Sequence, residues 1–376
     1  MNLPKVADIV IIGAGVSGLS VALPTAKAGC SVVILDKGEP WSDASGANAG
    51  TLSIQVKRRE VLSLIHESIQ RWQQMSEDYG IDVGFGQPGG IRVATTDAEL
   101  IQLEQSVRDQ QIEGIDVHML DDETLRTMAP WLGPQVKAGS FCRWDSYSNP
   151  LQAGNAMVAG ARTMGVVVAG GNAVTAIDHE KNSACGRFRV RTSTGQIIHA
   201  RHIVNTAGAW AGEIASMLDT RLPMEVDVNM LTVTESAPPL FDRVVTHAGG
   251  ILSIKQFPNG TCLIGGGWQG SGSVKSGIKQ IDYERFIHNM RVAASVIPTL
   301  GNLHIIRTWA GFEAVAPDAL PIMGQLGGYD QAWVLACARG GYSLAPALGA
   351  RLAEMILSPS TCEPCPQYSP QRFCHE

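Results

Sequence analysis

Asp8-Ile-Val-Ile-Ile12 runs without a break into Gly13-Ala-Gly15-Val-Ser-Gly18; an apolar stretch then leads to Gly29, and a second run, Ser31-Val-Val-Ile-Leu35, ends at Asp36. A short continuous apolar run suits a parallel strand buried on both faces. Gly13 makes the tight turn, Gly15 leaves room for a pyrophosphate against the backbone, and Gly18 lets the following helix lie close to the sheet. The start of that helix offers free N–H groups and the positive end of its dipole. Asp36, eighteen residues after Gly18, is placed to accept hydrogen bonds from a ribose diol. Strand, glycine turn, helix, strand and acid together predict a Rossmann-like dinucleotide-binding unit of the α/β class. Pro24 lies inside the predicted helix, where its missing N–H is expected to produce a kink at a cost of ~3 kcal/mol.

The totals agree with a compact, folded protein. At roughly 150 residues per domain, 376 residues imply two packed units or one domain with another woven into it. Hydrophobic residues are 45% and charged residues 17%, which excludes disorder. The 41 glycines follow no short period, so they mark backbone geometry. With 29 basic against 35 acidic residues the net charge is −6, and no basic field recommends nucleic acid as a partner. No apolar run reaches the ~18 residues of a transmembrane segment, and the expected location is the cytoplasm. The eight cysteines form no evenly spaced framework and read as reduced thiols.

Five passages, in order along the chain, carry a family resemblance. Trp41-Ser-Asp-Ala-Ser45-Gly-Ala-Asn48-Ala-Gly50-Thr-Leu52 resembles the Ser-x-x-Asn-Ala-Gly segment of the D-amino acid oxidase, glycine oxidase and sarcosine oxidase superfamily, which runs beneath the isoalloxazine ring. Gly170-Gly-Asn-Ala-Val174-Thr-Ala-Ile177 is similar to the strand whose valine-position backbone reads the adenine. Ala200-Arg-His-Ile-Val-Asn-Thr-Ala-Gly208-Ala-Trp210 resembles the strand and glycine turn that closes over the dinucleotide. Arg307-Thr-Trp-Ala-Gly311-Phe-Glu-Ala-Val-Ala-Pro317-Asp318-Ala-Leu-Pro321-Ile-Met-Gly324 leads on to Cys337-Ala-Arg-Gly340-Gly341-Tyr-Ser-Leu-Ala-Pro346-Ala-Leu-Gly349, the last flavin contact.

The resemblance implies non-covalent FAD, because the position of a flavin-linking cysteine in some relatives falls here at Gly311. The cofactor contacts it implies are Gly13, Ala14, Gly15, Ser17, Gly18, Asp36 and Lys37, then Ser45, Asn48, Ala49, Gly50 and Thr51, then Val174, Ala207, Gly208 and Trp210. Gly311, Arg339, Gly341, Tyr342, Ser343 and Leu344 complete the set. It also implies a discontinuous architecture, an FAD-binding domain of residues 1–80, 145–220 and 305–376 interrupted by a mixed-sheet α+β substrate domain of residues 81–144 and 221–304. In such enzymes the substrate's Cα hydrogen moves as hydride to flavin N5, leaving an imine for water to hydrolyse. The protein's part is orientation and electrostatics.

Local patterns add detail. From Glu60 to Gly80, Val61, Ile65, Ile69, Trp72 and Met75 recur at helical spacing, so Trp72 reads as core. Ile251 to Phe257 and Thr261 to Ile264 flank Pro258-Asn259-Gly260, a hairpin signal. Gly265-Gly-Gly-Trp-Gln-Gly270 opens no helix directly and reads as a strand end rather than a second nucleotide loop.

One departure from the family stands out. Relatives of the glycine and D-amino acid oxidase kind place an arginine just after Trp-Ala-Gly to clamp the substrate carboxylate, whereas Phe312 and Glu313 follow Gly311 here. Glu313 is either a partner for a substrate amine or a structural carboxylate paired with Arg307 or another base. Lys255, on a strand whose Ser253, Lys255, Phe257 face alternates with Leu252, Ile254, Gln256, and Arg339, beside the glycine pair, are the other candidate catalytic groups.

Asn48-Ala-Gly, Ile254-Lys-Gln and Phe257-Pro-Asn-Gly with Gly265-Gly-Gly-Trp are most similar to flavoprotein β subunits of heteromeric dehydrogenases acting on D-hydroxyproline, L-proline or opines. That likeness implies an amino or imino acid substrate and electron-transfer partner subunits, carrying FMN or an iron–sulfur cluster. An oxygen-using amine oxidase and a non-catalytic FAD-bearing relay protein are the alternatives. Cys362, Cys365, Cys374 and His375 at the C-terminus read as plain thiols and a histidine, with no metal expected.

Overall fold

The computed structural model describes residues 2–180, 187–336, 339–359 and 365–373. Cys185, Cys337, Cys362, Cys374 and His375 therefore lie outside the described residues.

The first of two eight-stranded sheets grows from the opening stretch. Val6–Ile12 pairs in parallel with Val32–Leu35 on one side and Ile197–Asn205 on the other. Val167–Ala169 and Ala332–Ala336 extend this parallel core outward, and Ile322–Gln325 closes one edge antiparallel. Phe188–Thr192 and Val174–His179 branch off Ile197–Asn205 as an antiparallel pair. Covering both faces explains the unbroken apolar runs: Ile9 and Ile11 pack under helices Val16–Lys27, Leu62–Tyr79, Pro150–Thr163 and Gly341–Leu357, while Val10 and Ile12 pack with Phe188, Val190 and the Ala211–Ser216 helix.

Pro24 sits inside an unbroken helix, with the Ala28 N–H still reaching the Pro24 carbonyl, so the expected kink does not end the element. The predicted amphipathic helix is Leu62–Tyr79, closed by Gly80 at φ +69°. Trp72 is fully buried and stacks on Tyr342 with ring centroids 5.0 Å apart.

The second sheet runs Ile305–Val315, Glu225–Ser236, Thr261–Gly265, Ser253–Gln256, Val244–His247, Gly90–Ala94, Ala138–Cys142, Val117–Leu120, with a single parallel pair, Val244–His247 on Gly90–Ala94. Both sheets are mixed. The predicted hairpin forms, Ser253 facing Gly265 and Gln256 facing Cys262. Ile254 and Cys262 pack under the Tyr283–Val296 helix on one face of this sheet. One segment falls differently from its sequence grouping: residues 305–315, placed with the FAD-binding pieces, form the edge strand of the second sheet, hydrogen-bonded along Glu225–Ser236. That long register carries Gly311 and Glu313 across from the first sheet to its neighbour. No helix among the described residues is long and apolar enough to cross a membrane.

Candidate active site

Gly13 ends the first strand at φ +112°, a conformation that L side chains rarely adopt, and a Cβ there would lie 2.5 Å from the Thr206 carbonyl oxygen. The need for glycine at this position thus arises from the neighbouring strand's end as well as from any ligand. Gly18 has no room for a Cβ against the Gly13 carbonyl, which is how the helix comes down onto the turn. Gly15 caps the Val16–Lys27 helix without a side chain of its own, and Ser45, from a remote segment, accepts the Val16 N–H at 2.9 Å instead. Asp36 accepts the Ala14 N–H at 2.7 Å and the Gly38 N–H at 2.9 Å, one on each oxygen, which leaves lone pairs on both. Burial pushes its carboxyl up, against the pull of those two donors.

These residues open on a cavity of about 570 Å³. Of the cofactor and catalytic residues expected from the sequence, all line it except five. Ala14 is buried behind its bond to Asp36, and Gly18 packs on the turn. Gly50 is held at φ +68°, its N–H donated to the Asn48 side chain. Ser343 turns its hydroxyl back to the Gly340 carbonyl at 2.8 Å. Lys255 reaches the wall from outside, donating to the Ala49 carbonyl at 2.6 Å. The first residues of two helices, Val16 and Gly341, both lie on the cavity wall, so two positive dipole ends bear on it.

Which face of the Ser253–Gln256 strand meets the cofactor side is decided by contact. Ser253 exchanges a 2.7 Å hydrogen bond with Thr51, and Phe257 packs edge-on against Tyr147. Lys255, between them, is 1% exposed, and burial lowers its ammonium to about 7.

Glu313 pairs with neither Arg307 nor any other base within salt-bridge distance among the described residues. Arg307 instead stands over the Trp309 ring. One Glu313 oxygen accepts the Gly340 N–H at 2.7 Å and the other accepts the Asn229 side-chain amide, whose oxygen is in turn bonded by Gln269. Arg339, 57% exposed with φ +27°, reaches Asp227 at 3.9 Å.

The cavity wall also contains Lys57, Arg58 and Asn229, which no motif signalled, and Ser253, Gly266 and Gly267, which the sequence placed on a strand face and a strand end but not at the cofactor. Asn229 faces Gly311 across paired strands, and Gly266 and Gly267 follow the end of Thr261–Gly265. Lys57 comes between the family segment and the amphipathic helix, where no periodicity marks it.

The arrangement fits FAD. Backbone without Cβ atoms faces the cavity at Gly13 and Gly15, the helix start at Val16 supplies positive potential for a pyrophosphate, and the wall continues to Gly311 and to the second helix start, at Gly341, towards the other end. The model of the family described as FAD dependent oxidoreductase, DAO, matches residues 8–355. Human dimethylglycine dehydrogenase is 27% identical over 372 residues, 93% of this chain and 42% of that protein, so the chain spans about two fifths of that relative's length. One opine oxidase subunit of Rhizobium meliloti is 26% identical over 97% of both chains. The crystal structure of L-proline dehydrogenase from P. horikoshii superposes with a TM-score of 0.89 at 26% identity, covering 99% of each chain.

Proposed function

The chain belongs to the FAD-dependent oxidoreductase family, DAO, and from that premise we propose that it is a dehydrogenase oxidising the C–N bond of an amino acid, an imino acid of the proline or hydroxyproline type, or an opine. In this reading it works in the cytoplasm as the catalytic subunit of a larger complex whose partner subunits carry the electrons onward through FMN or an iron–sulfur cluster. The observation that carries it is one cavity lined both by Asp36 and Val174, where the nucleotide would lie, and by Lys57, Ser253, Gly311 and Glu313. The match to an opine oxidase subunit over 97% of both chains supports the role within a complex.

Bound non-covalently, FAD supplies a two-electron acceptor for a C–H bond beside nitrogen. The chain's own residues orient and enclose. Lys255 holds the Ala49 carbonyl, and the Thr51–Ser253 bond ties the same segment to the second sheet. Glu313 fixes the turn that starts the Gly341–Leu357 helix. The first sheet and its helices form the cofactor-binding unit, and the second sheet forms the substrate-side wall.

Anaerobic mixing of the yellow protein with D- and L-amino acids, proline derivatives and opines tests the reading. Bleaching by at least one of them is expected, with fast reoxidation by an artificial dye and slow reoxidation by oxygen. Fast oxygen reoxidation with peroxide release favours the oxidase alternative. Absence of bleaching across the panel favours the non-catalytic relay.

A further inference from the structure

The segment leading to Lys57 is held rigidly from beneath. The fully buried Asp145 carboxylate accepts from the Ser53 hydroxyl at 2.6 Å, the Ile54 N–H at 2.7 Å and the Gln55 side chain at 2.9 Å. Lys57 then closes the turn, its N–H on the Ile54 carbonyl at 2.9 Å, and its side chain enters the cavity wall beside Glu313 and Gly340. Among the described residues the ammonium makes one hydrogen bond, a long 3.3 Å contact to the Gly340 carbonyl, and no carboxylate lies within 4.0 Å. An ammonium carries three donors, so two remain for a ligand.

The other bases near this end are engaged elsewhere. Arg58 donates to the Asp318 carbonyl at 2.7 Å and to Glu60 at 2.9 Å, and Arg339 is largely in solvent beside Asp227. Glu313 occupies the place where a base would be expected, with its oxygens turned to Gly340 and Asn229.

We propose that Lys57 anchors the carboxylate of the substrate, supplying from the 53–58 segment the cation that positions 312 and 313, just after Gly311, do not carry. The inference rests on the amino-acid-type substrate argued above. Glu313 has a part in it. Burial lowers the Lys57 ammonium to about 8, and the negative charges of Glu313 and Asp145 oppose that fall, keeping the group protonated at neutral pH. An acid at position 313 thereby serves the carboxylate clamp indirectly, by holding the charge on its neighbour. The charged groups that face Lys57 are Glu313 and Asp145, with Arg339 on the same wall.

The test titrates the FAD-loaded protein with acetate, cyclopentanecarboxylate and succinate, each against its uncharged amide, following the visible flavin spectrum. In the wild type at least one acid is expected to bind well ahead of its amide. Lys57→Met should weaken that acid by about 100-fold, the loss of one charged, desolvated partner, while the amide changes less than about threefold and the FAD spectrum is retained. Lys57→Arg should restore part of the binding. Lys57→Gln, which keeps a donor for Gly340, should behave as the Met variant and covers the case where Met disturbs folding. Equal binding of acid and amide by the wild type, no binding of either, or unchanged acid affinity in the Met and Gln variants overturns the assignment. Charge-dependent binding without bleaching by any amine would sink the catalytic reading while leaving Lys57 in place. Bleaching with an unchanged half-saturating concentration in Lys57→Met would do the reverse.

Discussion

Glu313 holds Gly340: a carboxylate oxygen on the edge strand of the second sheet accepts, at 2.7 Å, the N–H of the left-handed residue that starts the Gly341–Leu357 helix. The carbonyl of the same glycine takes the Ser343 hydroxyl at 2.8 Å and the Lys57 ammonium at 3.3 Å. The two sheets are therefore joined at the cavity through one residue's backbone, and the helix start that faces the cofactor is set by a side chain of the opposite sheet.

Glu313→Ala releases that turn. A lost charge-assisted bond to a partly buried N–H is worth ~1–3 kcal/mol, so FAD should dissociate about tenfold or more readily, while Glu313→Gln, which keeps an acceptor for Gly340, should stay nearer the wild type. Fluorescence titration of the apoprotein with FAD measures both.

Ser45→Ala removes the acceptor that caps the Val16–Lys27 helix from a distance. Loss of an N-cap costs about 1 kcal/mol, so urea unfolding should shift by that amount, with weaker FAD retention. Ser45→Thr, which keeps a hydroxyl, should lose less in the same denaturation experiment.

Gly13→Val meets the Thr206 backbone and forces a branched side chain into φ +112°. Colourless, thermally weakened protein is expected. If absorbance near the flavin band survives at wild-type yield, the tight approach of Gly13 to Thr206 is not required for the cofactor.

Lys255 is protonated in the unfolded chain up to the ordinary lysine range but in the folded protein only below about 7. Between those values the unfolded state binds the extra proton, so this group makes folding stability rise with pH above about 7, and the full cost of the buried charge is felt below it. Lys255→Met removes that dependence. Its gain in melting temperature over the wild type, measured on apoprotein, should be largest at pH 6 and shrink by pH 9; a gain that is the same at both would argue against the buried charge.

Much of the cofactor side was legible in the sequence because it is local. The Gly13 to Gly18 turn, the acid at Asp36 and the helical spacing from Val61 to Met75 each depend on residues a few positions apart, and the described strands and helices fall where those patterns put them. The hairpin around Pro258-Asn259-Gly260 was readable for the same reason.

What the sequence by itself determined is the dinucleotide unit and the family, since periodicity, turn chemistry and ordered motifs are properties of neighbouring residues. Tertiary structure alone decided the substrate end. The partner of Glu313 is Gly340 rather than Arg307, the inward face of residues 253–257 is the one carrying Lys255, and Lys57 enters the wall with no motif to announce it. The place of Glu313 follows from the antiparallel register of Ile305–Val315 on Glu225–Ser236, that of Lys255 from the pairing of Ser253–Gln256 with Thr261–Gly265, and that of Lys57 from the turn closed by its N–H on the Ile54 carbonyl. The contacts these side chains make join residues tens to hundreds of positions apart, and a one-residue change of register would turn every one of those strand side chains to the other face.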